Sequence, residues 1–433
     1  MEQVRFTGWH LNFGKKMTSM MVIQKFHPVG TGTFKTGCLR HLDTGESFRW
    51  VYDCGATSKT TLNRVLSRLA RNIEPLDMLV LSHFDNDHVN GVETLLRHCS
   101  VKTLVLPYSE WAQSVREISV LGKKGSSPST AMLQLNPVQW LASRNFDVRV
   151  EEVVLIRRGL DATPAPYGNE GPEPNSRELQ RDELGQFSEN YFSFGSSLSG
   201  NTSIRTLPHN HSIQAVNGDF EFVFYNAEKD FSELGLIEHR SGQWYAKHSG
   251  WLLSDVKTDI QNTIMSINLH QPLLGMPANW RKTLKQRYEY HFGHSGKAKN
   301  NISLCMYAAP VSSKFSICCI GNDRHFYHFR WRRTLRPATL CTGDIHLTAA
   351  VISDIQHHLG AQRWNRIGLM QVPHHGSQHS WEPGNAMLLA PTQFVHCASG
   401  SKHHPHPDVQ ADLSSSRVHC ADRTRGVIIR YWL

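Results

Sequence analysis

The feature that most constrains this chain is a continuous apolar run, Met78-Leu79-Val80-Leu81, which passes directly into Ser82-His83-Phe84-Asp85-Asn86-Asp87-His88. The run is too short for a helix and lacks the alternation of a half-exposed strand, so it reads as a strand buried on both faces. Such strands belong to sheets covered by helices. The flanking pattern agrees. Phe48 to Tyr52 reads as a strand running into Asp53-Cys54-Gly55, and Ser58 as the cap of a helix with Leu62, Val65, Leu66 and Leu69 on one face. A further helix begins at Val89, and Val101 to Leu106 is the next strand, closed by Pro107. Strand, helix, strand, helix, strand is the order of an α/β fold.

The rest of the chain is less regular. Val22 to Phe34 reads as two short strands around Gly30 and Gly32, and Ala131 to Ser143 as one helix. Phe220 to Tyr225 alternates like a half-buried strand. Ser303 to Met306, Lys314 to Ile320, Thr339 to Cys341, Leu369 to Val372, Phe394-Val395 and Val427 to Tyr431 read as further strands, and Leu347 to Leu359 as a helix closed by Gly360. Asp161 to Asn201, rich in Pro, Gly, Ser, Asn and Glu, has the composition of a solvated, disordered segment. The Trp and Tyr scattered over 228–299 suit a small core of their own. A length of 433 residues would allow three domains at about 150 residues each. Both irregular stretches sit inside one frame, however. The expectation is one elaborated domain over 20–433, with insertions at about 109–212 (partly disordered around 161–201) and about 228–299.

Composition excludes some classes. With 39% hydrophobic and 19% charged residues, the chain is too apolar to be disordered throughout. No run of 18 apolar residues exists, so no membrane insertion is expected. Met1 to Lys16 lacks the apolar segment of a secretory signal, which predicts a cytoplasmic location. Nine Cys without a CxxC argue against a disulfide scaffold or a thiolate zinc site. A net charge of +9 suits an anionic partner such as nucleic acid.

The densest chemistry is the segment 82–88, with His83, Asp85, Asp87 and His88 at the carboxyl end of a buried strand, where open α/β sheets bind ligands. Such a loop can serve two metal ions; the plainer alternative is a solvated turn with Asp85 or Asp87 capping a helix. Three later segments also end apolar strands: Thr342-Gly343-Asp344, Pro373-His374-His375-Gly376-Ser377, and Ser399 to Pro407 with His404 and His406. Alone, each is an ordinary turn or a surface histidine pair. Together they would meet at one sheet edge.

These residues resemble the metallo-β-lactamase-fold hydrolases, and in particular the soluble β-lactamase-like domain attached to ComEC-type DNA-uptake channels. There the usual His-x-His-x-Asp-His signature carries Asp at its second ligand, as in His83-Phe84-Asp85-Asn86-Asp87-His88. Val29 to Gly32, Asp53 to Gly55, Asn301 to Leu304, Thr342 to Asp344, Val372 to Ser377 and His404 to Pro407 extend the resemblance in family order, over about 22–108 and 214–433. It implies a four-layer αββα sandwich and two divalent metal ions, Zn or Mn. His83 and Asp85 would bind the first ion, Asp87 and His88 the second, and Asp344 would bridge them. Asp53 would orient the loop through hydrogen bonds. Where many members place a third His for the first ion, this chain has Lys299-Asn300-Asn301, so that site is either ligand-poor, completed by His294, or filled through His374 or His375. His404 would close the second, with His374, His375 and His406 as rivals.

The implied reaction is hydrolysis by a hydroxide activated between two metals. Asp87, His375 and His404 are the candidate catalytic residues, either His giving a proton to the leaving group. A carboxylate at Asp85 makes the site harder, towards Mn²⁺, and suits phosphodiester chemistry. For nucleic acid, the strip Asp323 to Arg336 offers Arg330, Trp331, Arg332 and Arg333, though the same pattern describes an ordinary hairpin with its aromatics packed inward. Arg281 to Arg287 reads as a solvated helix face opposite Trp280 and Leu284. Three functions follow: a nuclease or phosphodiesterase; a hydrolase of a small ester, thioester, lactone or cyclic nucleotide; or a gated effector subunit of a multi-protein system, such as a defence system, that docks a protein partner through its insertions.

Overall fold

Most strands here are covered on both sides, which two stacked sheets with helices outside them achieve. The computed structural model describes residues 20–433 apart from 72, 122–126, 158–190, 193, 195–201, 209–211, 216–218, 228–233, 272–274, 295–301, 312–316, 323–325, 328–335, 390, 392, 401–402 and 433. The first sheet contains β1 (Met20–Phe26), β2 (Phe34–His41), β3 (Ser47–Cys54), β4 (Leu76–Val80), β5 (Val101–Pro107), β6 (Val150–Arg157) and β7 (Ser203–Pro208), with β13 (Ile317–Asn322), β14 (Phe326–Tyr327) and β19 (Val427–Trp432) on its other edge. Their order is β14-β13-β19-β1-β2-β3-β4-β5-β6-β7. The second sheet contains β8 (Ser212–Ala215), β9 (Phe220–Asn226), β12 (Leu304–Pro310), β15 (Ala338–Cys341), β16 (Ile367–Gln371), β17 (Gln393–His396) and β18 (Arg417–Cys420), ordered β18-β17-β16-β15-β12-β9-β8. A separate hairpin pairs β10 (Ile237–Arg240) with β11 (Gln243–Ala246).

The apolar run that opened the sequence reading is now explained by its two neighbours. Met78 and Val80 point with Trp50 and Tyr52 into the layer between the sheets, against Phe220, Phe222, Phe224 and Met306. Val51, Leu79 and Leu81 point the other way, against α1 (Lys59–Leu69) and α3 (Val92–His98), which follows the single turn α2 (Asn86–Val89). On the outer face of the second sheet, Tyr307, Leu340 and Met370 meet α9 (Ala349–Trp364), α10 (Asn385–Leu389) and α11 (Pro407–Asp412). This is the αββα sandwich. Each large apolar side chain so buried contributes ~1.5–3 kcal/mol, more than the ~1 kcal/mol of a neutral hydrogen bond, so apolar packing holds the layers together. Polar clasps fix how they align: Tyr52 Oη donates to the Leu304 carbonyl (2.8 Å), Lys35 Nζ to Cys341 Sγ (3.2 Å) and Gln371 Nε2 to Thr33 Oγ1 (3.0 Å).

Several local expectations change. The helix expected over Ala131 to Ser143 is two, α5 (Pro128–Leu135) and α6 (Pro137–Ala142), because Pro137 cannot continue the first; Asn136 caps the second by accepting from Gln139 N (2.9 Å). The helix expected to close at Gly360 runs on to Trp364 across a kink where Gly360 takes φ 72°. Phe220 to Tyr225 alternates in sequence yet is buried throughout, since Glu221 is paired with Arg363 (3.0 and 2.8 Å) beneath α9. β6 and β7, within the stretch read as the first insertion, extend the first sheet. That stretch also carries α4 (Trp111–Arg116), and the second carries α7 (Leu253–Ser266) and α8 (Trp280–Phe292). The aromatic residues of the second insertion do not form a core of their own: Phe292 packs on Trp111, which packs on Phe192. The disorder expected around 161–201 lies outside the described residues, save for Tyr191, Phe192 and Phe194, which are buried. Among the described residues, no helix is long and apolar enough to cross a membrane, and seven cysteines are free thiols.

Candidate metal centre

β3, β4, β15, β16 and β17 run parallel within their sheets, so the loops that follow them share one edge. The organising group is Asp53, fully buried near the end of β3 with a positive φ of 54°. Its carboxylate accepts from Ser82 N (2.7 Å) and Ser82 Oγ (2.7 Å) and pairs with His88 Nδ1 (2.8 Å). Having donated to Asp53, the Ser82 hydroxyl accepts from His83 Nδ1 (2.9 Å). Both imidazoles therefore carry their proton on Nδ1 and present Nε2. His88 Nε2 lies 3.0 Å from Asp344 Oδ1, and His83 Nε2 3.5 Å from Asp344 Oδ2. Neither Nε2, nor Asp344 Oδ1, has a hydrogen-bond partner, and all three atoms are buried. A lone pair facing a carboxylate needs a cation between them, either a proton or a metal ion.

The electrostatics express the same demand. Burial and His88 pull the His83 imidazole down, yet Asp344 and Asp85 outweigh them and hold it above its ordinary value. Burial likewise opposes a charge on His88, but Asp344 and Asp53 raise it well above the usual range. Burial should raise Asp344; instead His374, His88 and His83 hold its carboxyl well below the usual carboxylate range. The protons that balance these carboxylates are the ones a metal would displace.

A second group shares His88. Asp87 Oδ2 stands 3.2 Å from His375 Nε2, and the His375 ring stacks on that of His88 at 5.1 Å. Donor atoms within 4.8 Å of one another thus form two sets, His83 with His88 and Asp344, and Asp87 with His88 and His375. Asp85 occupies the cap position of α2, but its side chain makes no capping hydrogen bond; it lies 3.9 Å from His83 Nε2 and is 41% exposed. His374 Nε2 is 3.6 Å from Asp344 Oδ2, and the His404 ring stacks on His374 at 5.9 Å. The structure thus brings together His83, Asp85, Asp87, His88, Asp344, His374, His375 and His404, with Asp53 beneath them. It does not bring in His294, which is 91% exposed beside Glu289, or His406, whose Nδ1 accepts from Asp408 N to cap α11. The Arg330, Trp331, Arg332 and Arg333 strip lies outside the described residues.

Local backbone makes this convergence possible. His374 and His375 both take positive φ (48° and 56°), at a cost of about 1–3 kcal/mol each, offset in part by the His374 N–H bond to Gly343 O (3.0 Å). Gly55 is required because a Cβ there would fall 2.4 Å from the His88 backbone. One histidine escaped the sequence reading. His396 ends β17, is buried, and has neither ring nitrogen hydrogen-bonded; burial and then His375 push it down to about 4. Its signal was present, since it closes an apolar strand as the other clusters do.

Residues 43–167 match the family model of the metallo-beta-lactamase superfamily. The match takes in Ser82 to His88 and stops before Asp344; with the layered sheets it gives the fold as the metallo-β-lactamase sandwich. No curated protein matches significantly. Among solved structures, that of unliganded yeast PDE1 is similar at a TM-score of 0.31 and 9% identity, over 96% of this chain and 100% of that one, a likeness too slight to bear on function.

Proposed function

We propose that this protein is a metal-dependent hydrolase of phosphodiesters, with nucleic acid as its substrate class. One observation carries the reading. Three carboxylates (Asp85, Asp87, Asp344) and the imidazoles of His83, His88, His374, His375 and His404 converge from separate loops, with His83 Nε2, His88 Nε2 and Asp344 Oδ1 buried and unpartnered. Two divalent ions held there, Zn²⁺ or Mn²⁺, would supply a Lewis acid and a water ionised near neutral pH. The share of oxygen donors favours harder ions than an all-imidazole site, and the net charge of +9 suits a polyanion.

The chain's own groups divide the remaining tasks. Asp53 and Ser82 hold the rings of His88 and His83 in one tautomer. Burial opposes ionisation of Asp87, but the hydrogen bond from His375 and the charge of His88 hold it well below the usual carboxylate range, so it stays an anion that can accept a hydrogen bond from the attacking water and orient it. His375 Nε2, in contact with that carboxylate, is placed to pass a proton to the leaving alkoxide. Burial, His375 and His374 push His404 down to about 4, so it is neutral at pH 7 and fits a ligand better than a donor.

The test is hydrolysis of bis(p-nitrophenyl) phosphate and of end-labelled single-stranded DNA, duplex DNA and RNA by Mn²⁺-loaded protein, against Asp344→Asn. Cleavage that disappears in the variant is expected. A protein with confirmed metal that cleaves none of them overturns the reading.

A further inference from the structure

Buried polar groups almost always find partners, and those that do not point to a missing ligand. Outside the metal centre, such a set lies where the two insertions meet. α4 continues into a π-helical turn, Glu117–Leu121, a geometry frequent at functional sites, and α8 packs across both. Gln113 and Tyr288 are 0% exposed and Arg116 is 2% exposed. Both amide atoms of Gln113, Nε and Nη1 of Arg116, Oε1 of Glu117 and Oη of Tyr288 lack any hydrogen-bond partner. A guanidinium buried with two of its nitrogens unused is a costly arrangement for a fold to keep. Glu117, beside it in sequence, is pushed up to about 8 by burial, against the pull of Arg116. The cluster is thus rich in unused donors.

It also adjoins the metal centre. Glu117 feels the charges of Asp85 and His83, and Arg281, from the start of α8, feels that of Asp85. Asp85 itself is 41% exposed.

We propose that the two insertions build an oxyanion subsite beside Asp85, in which Arg116, Gln113 and Tyr288 hold a phosphate of the substrate other than the one hydrolysed. This rests on the phosphodiester reading above. Because its groups are fully buried, the subsite takes the phosphorylated end of a strand and not a strand passing through. It makes the enzyme prefer short or terminal phosphodiesters carrying a second phosphate, and Tyr288 and Gln113 complete the donor set around that group.

The experiment compares the dinucleotide TpT with its 5′-phosphorylated and 3′-phosphorylated forms, using metal-loaded full-length protein. One phosphorylated form is expected to exceed TpT in kcat/KM by about tenfold or more, the worth of a charged hydrogen bond. Arg116→Met should bring that ratio to about one, and Tyr288→Phe, which deletes a single oxygen, should lower it several-fold. A ratio near one in the wild type, or one unchanged in both variants, overturns the subsite. If the wild type cleaves no phosphodiester, the function reading fails, and the subsite is judged by calorimetric titration with inorganic phosphate. Weaker binding by Arg116→Met than by wild type then supports it, and equal binding overturns it.

Discussion

The metal centre and the polar cluster between the insertions are neighbours, both buried and both rich in ionisable groups, yet their polar atoms are treated in opposite ways. At the candidate metal centre the rings of His83 and His88 are steered by outer partners: Asp53 holds His88 and Ser82, and Ser82 holds His83, so of these two rings only the Nε2 atoms aimed at the cation position are unpaired. Between the insertions the outer shell is missing, and Arg116, Gln113 and Tyr288 are unpaired without such steering. The first arrangement fixes geometry before anything binds, as metal ligation demands. The second waits for a ligand to complete it and leaves stability unclaimed in the meantime.

That contrast can be broken or sharpened by experiment. The largest effect is expected at Asp344, which faces His83, His88 and His374: Asp344→Asn should lower kcat on the order of 10³-fold and reduce bound metal in elemental analysis. Asp53→Ala removes only the outer partner and should weaken metal binding by about 10–100-fold in chelator competition; an unchanged affinity would mean that Asp53 does not pre-set the site. Metal affinity should also fall as pH falls. His83 and His88 are held above their ordinary value, so below that raised range protons occupy the atoms a metal needs, costing about tenfold per pH unit for each proton displaced. A flat profile between pH 8 and 6 would contradict this.

A smaller effect is expected at Glu117. Its folded value of about 8 lies above the unfolded one, so its contribution to stability is full below the unfolded value and is lost as pH rises through about 8. Glu117→Gln should therefore gain on the wild type as pH rises from 5 to 8, by roughly 2–4 °C in Tm at the upper end, and a gain that shrinks over that range would remove burial as the cause. The least effect is expected at His294. Its exposure predicts that His294→Ala keeps the full metal content, and a loss would return it to the ligand set.

The metal loop was legible because it is local. Chemistry written at the end of an apolar strand stays at the end of that strand, and His83 to His88 needed no distant partner to be noticed. The clusters at Asp344, His374-His375 and His404 were legible by the same rule, and so was Asp53 through the resemblance. His396 follows the same rule, closing the apolar strand β17. β6 and β7 were not seen because a weak pattern inside a long irregular stretch gives no hint that a sheet edge is waiting for it. The break at Pro137 follows from the proline itself, which cannot continue a helix, and the run past Gly360 crosses a kink at φ 72° that a glycine readily takes.

The sequence by itself determined the α/β layering and the group of residues that could meet at one sheet edge, since strand burial and strand-end chemistry are encoded within a few neighbouring positions. The tertiary structure settles which histidines meet there, leaving His294 and His406 outside the group. It alone placed Arg116 of one insertion near enough to Tyr288 of the other for its charge to act on that phenol, whose ionisation burial opposes. The physical reason is that burial without a partner is a property of packing between distant segments. No local pattern records whether a polar side chain will find its partner once the chain has closed around it.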